Sequence, residues 1–275
     1  MSMTCEVKPR LFDLDIETTA INRIKTLTPR SGIDVAVSFG KDSIVLLHLV
    51  MRSGVPYRAY YSRAMEPPDV TQFGRKYYPD VIWLKPEMNM HQLCMQKLWL
   101  PTRTGRFCCE VLKETVKGYD SSVVATGVRR SESIKRRGRR MYEQCQRRGV
   151  GIMNPIVDWS DDDVWSYIHM HGLPYPSLYD EGFKRIGCVM CPLGGSVRMC
   201  RDAERWPKIA AYYLRICEDV WYARKEAGLD KEWEQETGLP SHSCPEEFFS
   251  WWTGAVGVYP RPLKRSEMQK FMMFD

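Results

Sequence analysis

The sequence predicts an α/β fold with a mostly parallel, twisted sheet and helices on both faces, followed by a helical C-terminal extension. Short β-branched or aromatic runs alternate with helical stretches up to about residue 157. The first of these runs leads directly into a glycine-containing turn and a long apolar run. Alternation of this kind is typical of βαβ units, in which helices connect parallel strands.

The elements of the predicted sheet follow one another closely. Apolar residues at helical spacing predict an N-terminal helix that ends before Pro29. Residues 44–50 form an apolar run that predicts a buried helix directly after the first strand. The predicted strands, in chain order, are residues 33–37, 57–61, 80–84 and 122–126.

The character of the chain changes from Asp158 onward. Ser160 precedes three aspartates and then an apolar run, which predicts a helix capped by Ser160. Residues 201–227 predict one long helix that ends at Gly228. We therefore expect one domain over residues 1–195 and a helical, aromatic-rich extension over residues 196–275.

Composition narrows the class of protein. The formal charge of +6 permits a phosphate-rich partner without requiring one. No apolar run is long enough to cross a bilayer, and the first residues lack the pattern of a secretory signal. We therefore expect a cytoplasmic protein without a membrane partner. In that compartment the ten cysteines are more often metal ligands or reactive thiols than disulfides.

The loop after the first strand carries the residues of a phosphate site. Its sequence is Ser38-Phe39-Gly40-Lys41-Asp42-Ser43. A helix N-terminus at this edge of a parallel sheet offers free N–H groups to an anion. Gly40 allows close backbone approach, Lys41 adds positive charge, and Asp42 can hold Mg²⁺ or orient the loop. The alternative is an ordinary βα turn with a capping serine.

The second pattern is a set of paired cysteines. Cys108 and Cys109 are adjacent, and Cys188 and Cys191 form a CxxC turn. A CxxC turn directs two thiolates to one metal or cluster, while an adjacent pair suits a polynuclear cluster better than a single zinc ion. The alternatives are a tetrahedral zinc site and four unligated thiols.

These motifs resemble those of the PP-loop superfamily, and in particular of its PAPS reductase family. The loop is similar to the superfamily's SGGKDS motif, although Phe39 is an aromatic residue of the kind found in sulfonucleotide reductases. The CC…CxxC arrangement is similar to that of APS reductases and DndC-type phosphorothioation proteins. Two further blocks, residues 127–136 and 154–188, resemble the family's GxRxxES…R and PIxDW…DVW…LYDxG…GC segments. The resemblance covers roughly residues 30–195.

The resemblance implies an adenine nucleotide α-hydrolase-like fold and a set of site residues. ATP, or a related adenine nucleotide, would be held with Mg²⁺, and Lys41 and Asp42 would act in catalysis. The implied ligands of a [4Fe–4S] cluster are Cys108, Cys109, Cys188 and Cys191. The implied nucleotide-binding residues are Ser38, Phe39, Gly40, Lys41, Asp42, Ser43, Gly127, Arg129 and Arg136.

Three functions remain open. The first is an ATP pyrophosphatase that adenylates a substrate for sulfur transfer, with a cysteine desulfurase as sulfur donor and a nucleic acid as acceptor. The basic run from Arg129 to Arg140 is consistent with such an acceptor, or is a solvated loop. The second is a sulfonucleotide reductase, whose C-terminal cysteine motif is not found here; Cys244 is the nearest candidate. The third is a non-enzymatic component that binds nucleotide and cluster.

Overall fold

A computed structural model describes residues 13–114, 118–146, 148–229 and 242–254. These residues form two compact units. The first unit comprises residues up to 63, 68–85 and the stretch from 118 to 186. The second comprises residues 64–67, 86–114 and the described stretches from 187 onward. The predicted domain boundary at residue 195 stays a prediction.

The secondary structure of the described residues is as follows. The helices are α1 Asp13–Leu27, α2 Lys41–Ser53, α3 Pro68–Tyr77, α4 Met90–Lys97, α5 Phe107–Cys109, α6 Asp161–Met170, α7 Gly195–Arg205, α8 Pro207–Glu226 and α9 Pro245–Thr253. The strands are β1 Ile33–Val37, β2 Tyr57–Ser62, β3 Ile82–Leu84, β4 Val123–Ala125, β5 Tyr142–Cys145 and β6 Val150–Met153.

The first unit contains one six-stranded sheet with the strand order β3-β2-β1-β4-β6-β5. All neighbouring strands pair in parallel except β5, which runs antiparallel to β6. β1 lies at the centre, and four of its five residues are buried because helices cover both faces. The predicted α/β class is confirmed, as are the four strands predicted from the sequence.

Local sequence signals explain the helix boundaries of this unit. α1 ends at Leu27, just before Pro29, as predicted. α6 begins after Ser160, whose hydroxyl accepts a hydrogen bond from the Asp163 backbone N–H, while the Asp163 carboxylate accepts one from the Ser160 backbone N–H. This reciprocal cap satisfies two of the free N–H groups of the helix N-terminus. The predicted capping role of Ser160 is therefore confirmed.

The hairpin of β5 and β6 was not predicted from the sequence. β5 is a short edge strand whose residues alternate between exposed and half-buried, so it shows no apolar run. A Cβ at position 151 would lie 2.0 Å from the Tyr142 hydroxyl, so a larger residue there would require the Tyr142 ring to move. Tyr142 thus crosses the partner strand above a glycine, an arrangement that sequence periodicity does not reveal.

The second unit is helical in its described residues. α8 packs against α4, α7 and α9, and its buried face includes Tyr213, Ile216 and Trp221. The helical C-terminal extension is therefore confirmed. The single long helix predicted for residues 201–227 is wrong: α7 ends at Arg205 and α8 starts at Pro207. Proline has no N–H to donate and its ring excludes the preceding helical turn, so the helix breaks at Trp206.

Within the described ranges, no helix combines the length and the apolar character needed to cross a bilayer.

Candidate functional site

The predicted phosphate loop joins β1 to α2 at the carboxyl edge of the sheet. Gly40 occupies the N-cap position of α2, and the helix begins at Lys41. The Ser43 hydroxyl accepts a hydrogen bond from the Ser38 backbone N–H at 3.1 Å and donates one to the Gly40 carbonyl at 2.9 Å. The two serines therefore hold the loop closed around the helix N-terminus, where backbone N–H groups favour an anion.

Phe39 anchors this loop in the core. Its side chain is fully buried, and its φ of 55° lies in the left-handed region, which is rare for residues other than glycine. Its ring packs against Tyr61 and Trp83, with centroid distances of 4.7 and 5.8 Å. Phe39 was predicted to bind nucleotide, but its ring packs in the core and does not line the cavity described next.

A cavity of about 560 Å³ opens above the loop within the first unit. Of the nine predicted nucleotide-binding residues, all except Phe39 line it. Gly127 brings two loops together, because a Cβ at this position would lie 2.8 Å from the Asp42 carbonyl oxygen. A side chain there would force the β4 loop away from α2, so glycine is needed for the close approach.

Four charged side chains form a closed group at the floor of the cavity. This charge quartet consists of Lys41, Asp42, Arg129 and Asp161. The Lys41 ammonium lies 2.9 Å from Asp161 Oδ1 and 3.2 Å from Asp42 Oδ1. Arg129 donates from Nε to Asp42 Oδ1 at 2.6 Å and from Nη2 to Asp161. Each cation thus contacts both carboxylates, and the four formal charges cancel.

Burial makes these pairings necessary. The side chains of Lys41 and Arg129 are only 5% and 1% exposed, and buried cations require charged partners. Burial alone would lower the pKa of Arg129, but Asp42 and Asp161 raise it. Burial would likewise raise the pKa of Asp161, but hydrogen bonds from Lys41 and Arg129 lower it. The pairing therefore favours the charged forms of Arg129 and Asp161.

Several residues of the cavity were not identified from the sequence. Tyr179 accepts a hydrogen bond from the Lys41 backbone N–H at 2.9 Å, and burial raises the pKa of its hydroxyl. Lys184 and Arg185 line the cavity as additional cations. The sequence marks Asp161 only as an acid in the first turn of a helix. Its proximity to Lys41, 120 residues earlier, depends on tertiary structure and has no local signal.

Arg136, which the sequence predicts to bind nucleotide, lines the cavity, and a neighbouring carboxylate partly balances its positive charge. It forms an ion pair with Glu132, and the Glu132 carboxylate also accepts a hydrogen bond from the Arg129 backbone N–H at 3.0 Å. Glu132 therefore ties the two predicted phosphate-binding arginines to one turn.

The four predicted cluster ligands lie together in the second unit. One small cavity is lined by Cys108, Cys109, Cys188 and Cys191. Two cations adjoin them: Arg106 Nη2 lies 3.6 Å from Cys109 Sγ, and Lys113 lines the same cavity. The structure thus brings both cysteine pairs to one cavity.

The backbone around the CxxC turn is held by specific hydrogen bonds. The Met190 N–H donates to the buried Asp202 carboxylate at 2.9 Å, and the Val189 N–H donates to the Met65 carbonyl at 2.7 Å. Met190 adopts a φ of 53°, which turns the chain between the two cysteines. The turn is therefore fixed by its own unit.

The thiols differ in acidity. A hydrogen bond from Cys108 lowers the pKa of Cys109 to about 5, with further lowering by Arg106 and Lys113 against the effect of burial. The same hydrogen bond, together with burial, raises the pKa of Cys108. Burial raises the pKa of Cys188, and Lys113 opposes this rise. Cys109 is accordingly more readily available as a thiolate than Cys108 or Cys188.

The described residues show no preformed site for a single metal ion. In the part of the chain that the structure describes, no three His, Cys, Asp or Glu side chains converge on one metal-ion position. A zinc ion would need sulfur atoms roughly 3.8 Å apart around one centre, whereas a cubane takes one thiolate at each of four separate irons. Ligation of a [4Fe–4S] cluster by these four thiols stays a prediction.

The remaining cysteines do not line this cavity where they are described. Cys94 and Cys217 are buried, whereas Cys145, Cys200 and Cys244 are half-buried. Cys244 is the N-cap residue of α9. Cys5 lies outside the described residues.

Comparisons with known proteins agree with these motifs. Residues 32–193 match the model of the phosphoadenosine phosphosulfate reductase domain. An uncharacterised protein of Methanocaldococcus jannaschii is 34% identical over 164 residues, which are 57% of this chain but only 39% of that protein. An adenosine 5'-phosphosulfate reductase of Bacillus subtilis is 28% identical over 190 residues, covering 62% of this chain and 77% of the reductase.

A solved structure is also similar. The phosphate complex of phosphoadenylyl-sulfate reductase from Candida auris matches with a TM-score of 0.48 at 19% identity. The match covers 66% of this chain and 97% of the reductase.

Proposed function

The chain belongs to the phosphoadenosine phosphosulfate reductase domain family, and within it we propose that this protein is an ATP pyrophosphatase-type enzyme that adenylates an acceptor for sulfur transfer. The observation that carries the proposal is the position of Lys41. Its buried ammonium lies at the floor of the cavity, beside the N-terminus of α2. A polyphosphate held there would meet backbone N–H groups and several cations at once.

The chemistry assigned to these residues is phosphoanhydride cleavage. An acceptor oxygen attacks the α-phosphorus of ATP, the bond to the β-phosphate breaks, and pyrophosphate leaves with its electron pair. Lys41 and Arg129 would stabilise the negative charge that develops on pyrophosphate. Asp42 would hold Mg²⁺, which commonly binds through one or two carboxylates and the phosphates of the substrate. The terminal sulfur of a persulfide on a cysteine desulfurase then attacks the activated acceptor, and AMP leaves with the acceptor oxygen. A thiol reductant cleaves the resulting S–S bond and becomes part of a disulfide, so that one sulfur stays on the acceptor.

The four cysteines would hold the [4Fe–4S] cluster of this proposal. When bound, the cluster would supply a place to hold or position the incoming sulfur. The cations near the thiols, Arg106 and Lys113, would offset the negative charge of four thiolates. The thiolate character of Cys109 supports ligation at that position.

A nucleic acid is the proposed acceptor. The segment after β4 exposes the side chains of Lys135, Arg137, Arg139 and Arg140. Tyr142, at the start of edge strand β5, is 38% exposed beside them. Clustered cations bind phosphate backbones and exposed aromatic rings stack on bases. Binding of a labelled oligonucleotide should therefore weaken steeply with salt, and Lys135→Ala with Arg137→Ala should reduce the salt slope by about 2.

A sulfonucleotide reductase is the second candidate, because several relatives carry that name. Such a reductase needs a nucleophilic cysteine that attacks the sulfur of the bound nucleotide. Cys244 is half-buried at the start of α9 and is followed by Glu246 and Glu247 in the first turn. The sequence around Cys244 does not contain the C-terminal cysteine motif of those reductases.

One experiment separates the candidates. Anaerobically purified protein is incubated separately with ATP, APS and PAPS, with a desulfurase, cysteine and oligonucleotide present in the ATP sample and thioredoxin in the others. AMP and pyrophosphate from ATP, unchanged in Cys244→Ser, are the expected products. Release of sulfite that disappears in Cys244→Ser would instead establish the reductase. Nucleotide binding without turnover in any sample would favour a non-enzymatic component.

A further inference from the structure

Asp161 occupies an unusual position in the cavity. It is the first residue of α6, and it accepts hydrogen bonds from both buried cations of the charge quartet. Asp42 already provides each of these cations with one carboxylate partner. The quartet as a whole is neutral, so its cations offer no unbalanced charge to a further anion. The remaining cations of the cavity are Arg136, Lys184 and Arg185.

A phosphate that reaches Lys41 therefore competes with a carboxylate. Carboxylate and phosphate oxygens have similar hydrogen-bonding geometry toward ammonium and guanidinium groups. With both carboxylates in place, a phosphate beside Lys41 would also be repelled by them. The cations keep a favourable charge balance if one carboxylate leaves as the phosphate binds.

Exposure decides which of the two carboxylates leaves. The Asp161 side chain is 65% exposed, while that of Asp42 is 22% exposed. A largely exposed carboxylate can rotate away from the cations into solvent at little cost, because water molecules replace the hydrogen bonds that it loses. Asp42 lies within the phosphate loop itself and has less access to water. Asp161 is thus the group that moves at lower cost.

We infer that Asp161 acts as an internal anion that holds Lys41 and Arg129 in place. When a nucleotide binds, its phosphate displaces Asp161 from these two cations. The inference rests on the proposed binding of phosphates at residues 38–43. The consequence is selectivity for phosphorylated ligands. A ligand binds well only if its phosphates replace the negative charge and the hydrogen-bond acceptors of the Asp161 carboxylate. Neutral or weakly charged nucleosides would leave Asp161 where it is.

The test measures binding by the full chain with isothermal titration calorimetry in EDTA. The ligands are ATP and inorganic pyrophosphate, and the proteins are wild type, Asp161→Asn and Asp162→Asn. Asp162 is a matched control, since it is the next residue of the same helix, is exposed, and lies outside the quartet. Asp161→Asn should bind both ligands about tenfold more tightly, equivalent to roughly 1.4 kcal/mol. The affinity of Asp162→Asn should stay within about twofold of wild type.

Other results would overturn the inference. Equal or weaker binding by Asp161→Asn in EDTA would mean that Asp161 does not compete with phosphate. Weaker binding by this variant only when Mg²⁺ is present would instead make Asp161 a ligand of the metal. Asp161→Glu, which keeps the charge, should retain wild-type affinity; if it also binds more tightly, charge is not the cause. Thermal denaturation of each variant checks that α6 remains folded.

The same titrations distinguish this inference from the proposed function. If wild type binds pyrophosphate but not ATP, the proposed use of ATP fails, while displacement of Asp161 is still tested by pyrophosphate. If ATP binds equally well to wild type and Asp161→Asn, the nucleotide site stands and the inference fails. If neither protein binds pyrophosphate, the inference also fails, because removal of the competing charge should have produced binding.

Discussion

The ring of Phe39 fills the space that a side chain at position 74, where the protein has glycine, would need. A Cβ at position 74 would lie 2.4 Å from Cε2 of the Phe39 ring, which is too close for real atoms. Gly74 is in α3, on a different element from the phosphate loop that Phe39 anchors. The left-handed backbone at Phe39 thus persists because the core accommodates its ring.

Gly74→Ala should therefore destabilise the protein and disturb the loop. Alanine gains about 1 kcal/mol of helix propensity over glycine, but overpacking a core typically costs roughly 1–3 kcal/mol. We expect a net decrease in the free energy of unfolding and weaker ATP binding. Gly138→Ala, where no atom lies near the added Cβ, is the control. The double variant with Phe39→Leu should recover stability; if it does not, the clash with Phe39 is not the cause.

Lys41→Ala should weaken ATP binding without unfolding the protein. A hydrogen bond to a charged group contributes roughly 1.5–3 kcal/mol, so affinity should fall by about 10- to 150-fold in calorimetric titration. Lys85→Ala, a substitution at an exposed lysine of the same unit, should leave ATP affinity unchanged. Equal ATP affinity in wild type and Lys41→Ala would contradict the placement of the phosphates at this loop.

Protein purified without oxygen should contain about four irons and four sulfides per chain, as one cubane on four thiolates requires. Cys109→Ser and Cys188→Ser should each remove the brown colour and most of the iron. Cys200→Ser is the control, because Cys200 does not line the cysteine cavity. One zinc per chain with no acid-labile sulfide would show that the four thiols serve a different metal.

Stability should fall at mildly acidic pH because of His48 in α2. Burial, then repulsion from His171 and Arg52, lowers the pKa of His48 below its ordinary value of about 6.5, against an opposing attraction from Glu17. Between the lowered pKa and about 6.5 the unfolded chain binds more protons than the folded chain, so stability decreases as pH falls through this window. Melting temperatures measured between roughly pH 7.5 and 5.5 test this.

The variant His48→Asn tests whether His48 causes the loss of stability at acidic pH. His48→Asn should reduce the pH dependence of the melting temperature, although loss of the contact between Nδ1 and the Tyr167 hydroxyl, 2.9 Å apart, should lower stability at every pH. The control His169→Asn changes an exposed histidine and should leave the slope intact. An unchanged slope in His48→Asn would mean that other groups cause the acid sensitivity.

The amino-acid sequence by itself determined the class of fold and the position of the loop between β1 and α2. These features are local: a β-branched strand, a glycine and a capped helix are encoded within a few neighbouring residues. The loop after β1 therefore took its predicted place at the N-terminus of α2. The same local information gave a wrong prediction at Pro207, because the helical pattern appears continuous in sequence although the helix is interrupted there.

Only the tertiary structure decided how these parts are used. Asp161 meets Lys41 across 120 residues of sequence, and Phe39 packs in the core rather than in the cavity. Glycines at positions 74, 127 and 151 owe their importance to atoms of distant segments. Close packing and charge pairing depend on which segments the fold brings into contact, and no local pattern of residue types encodes that proximity.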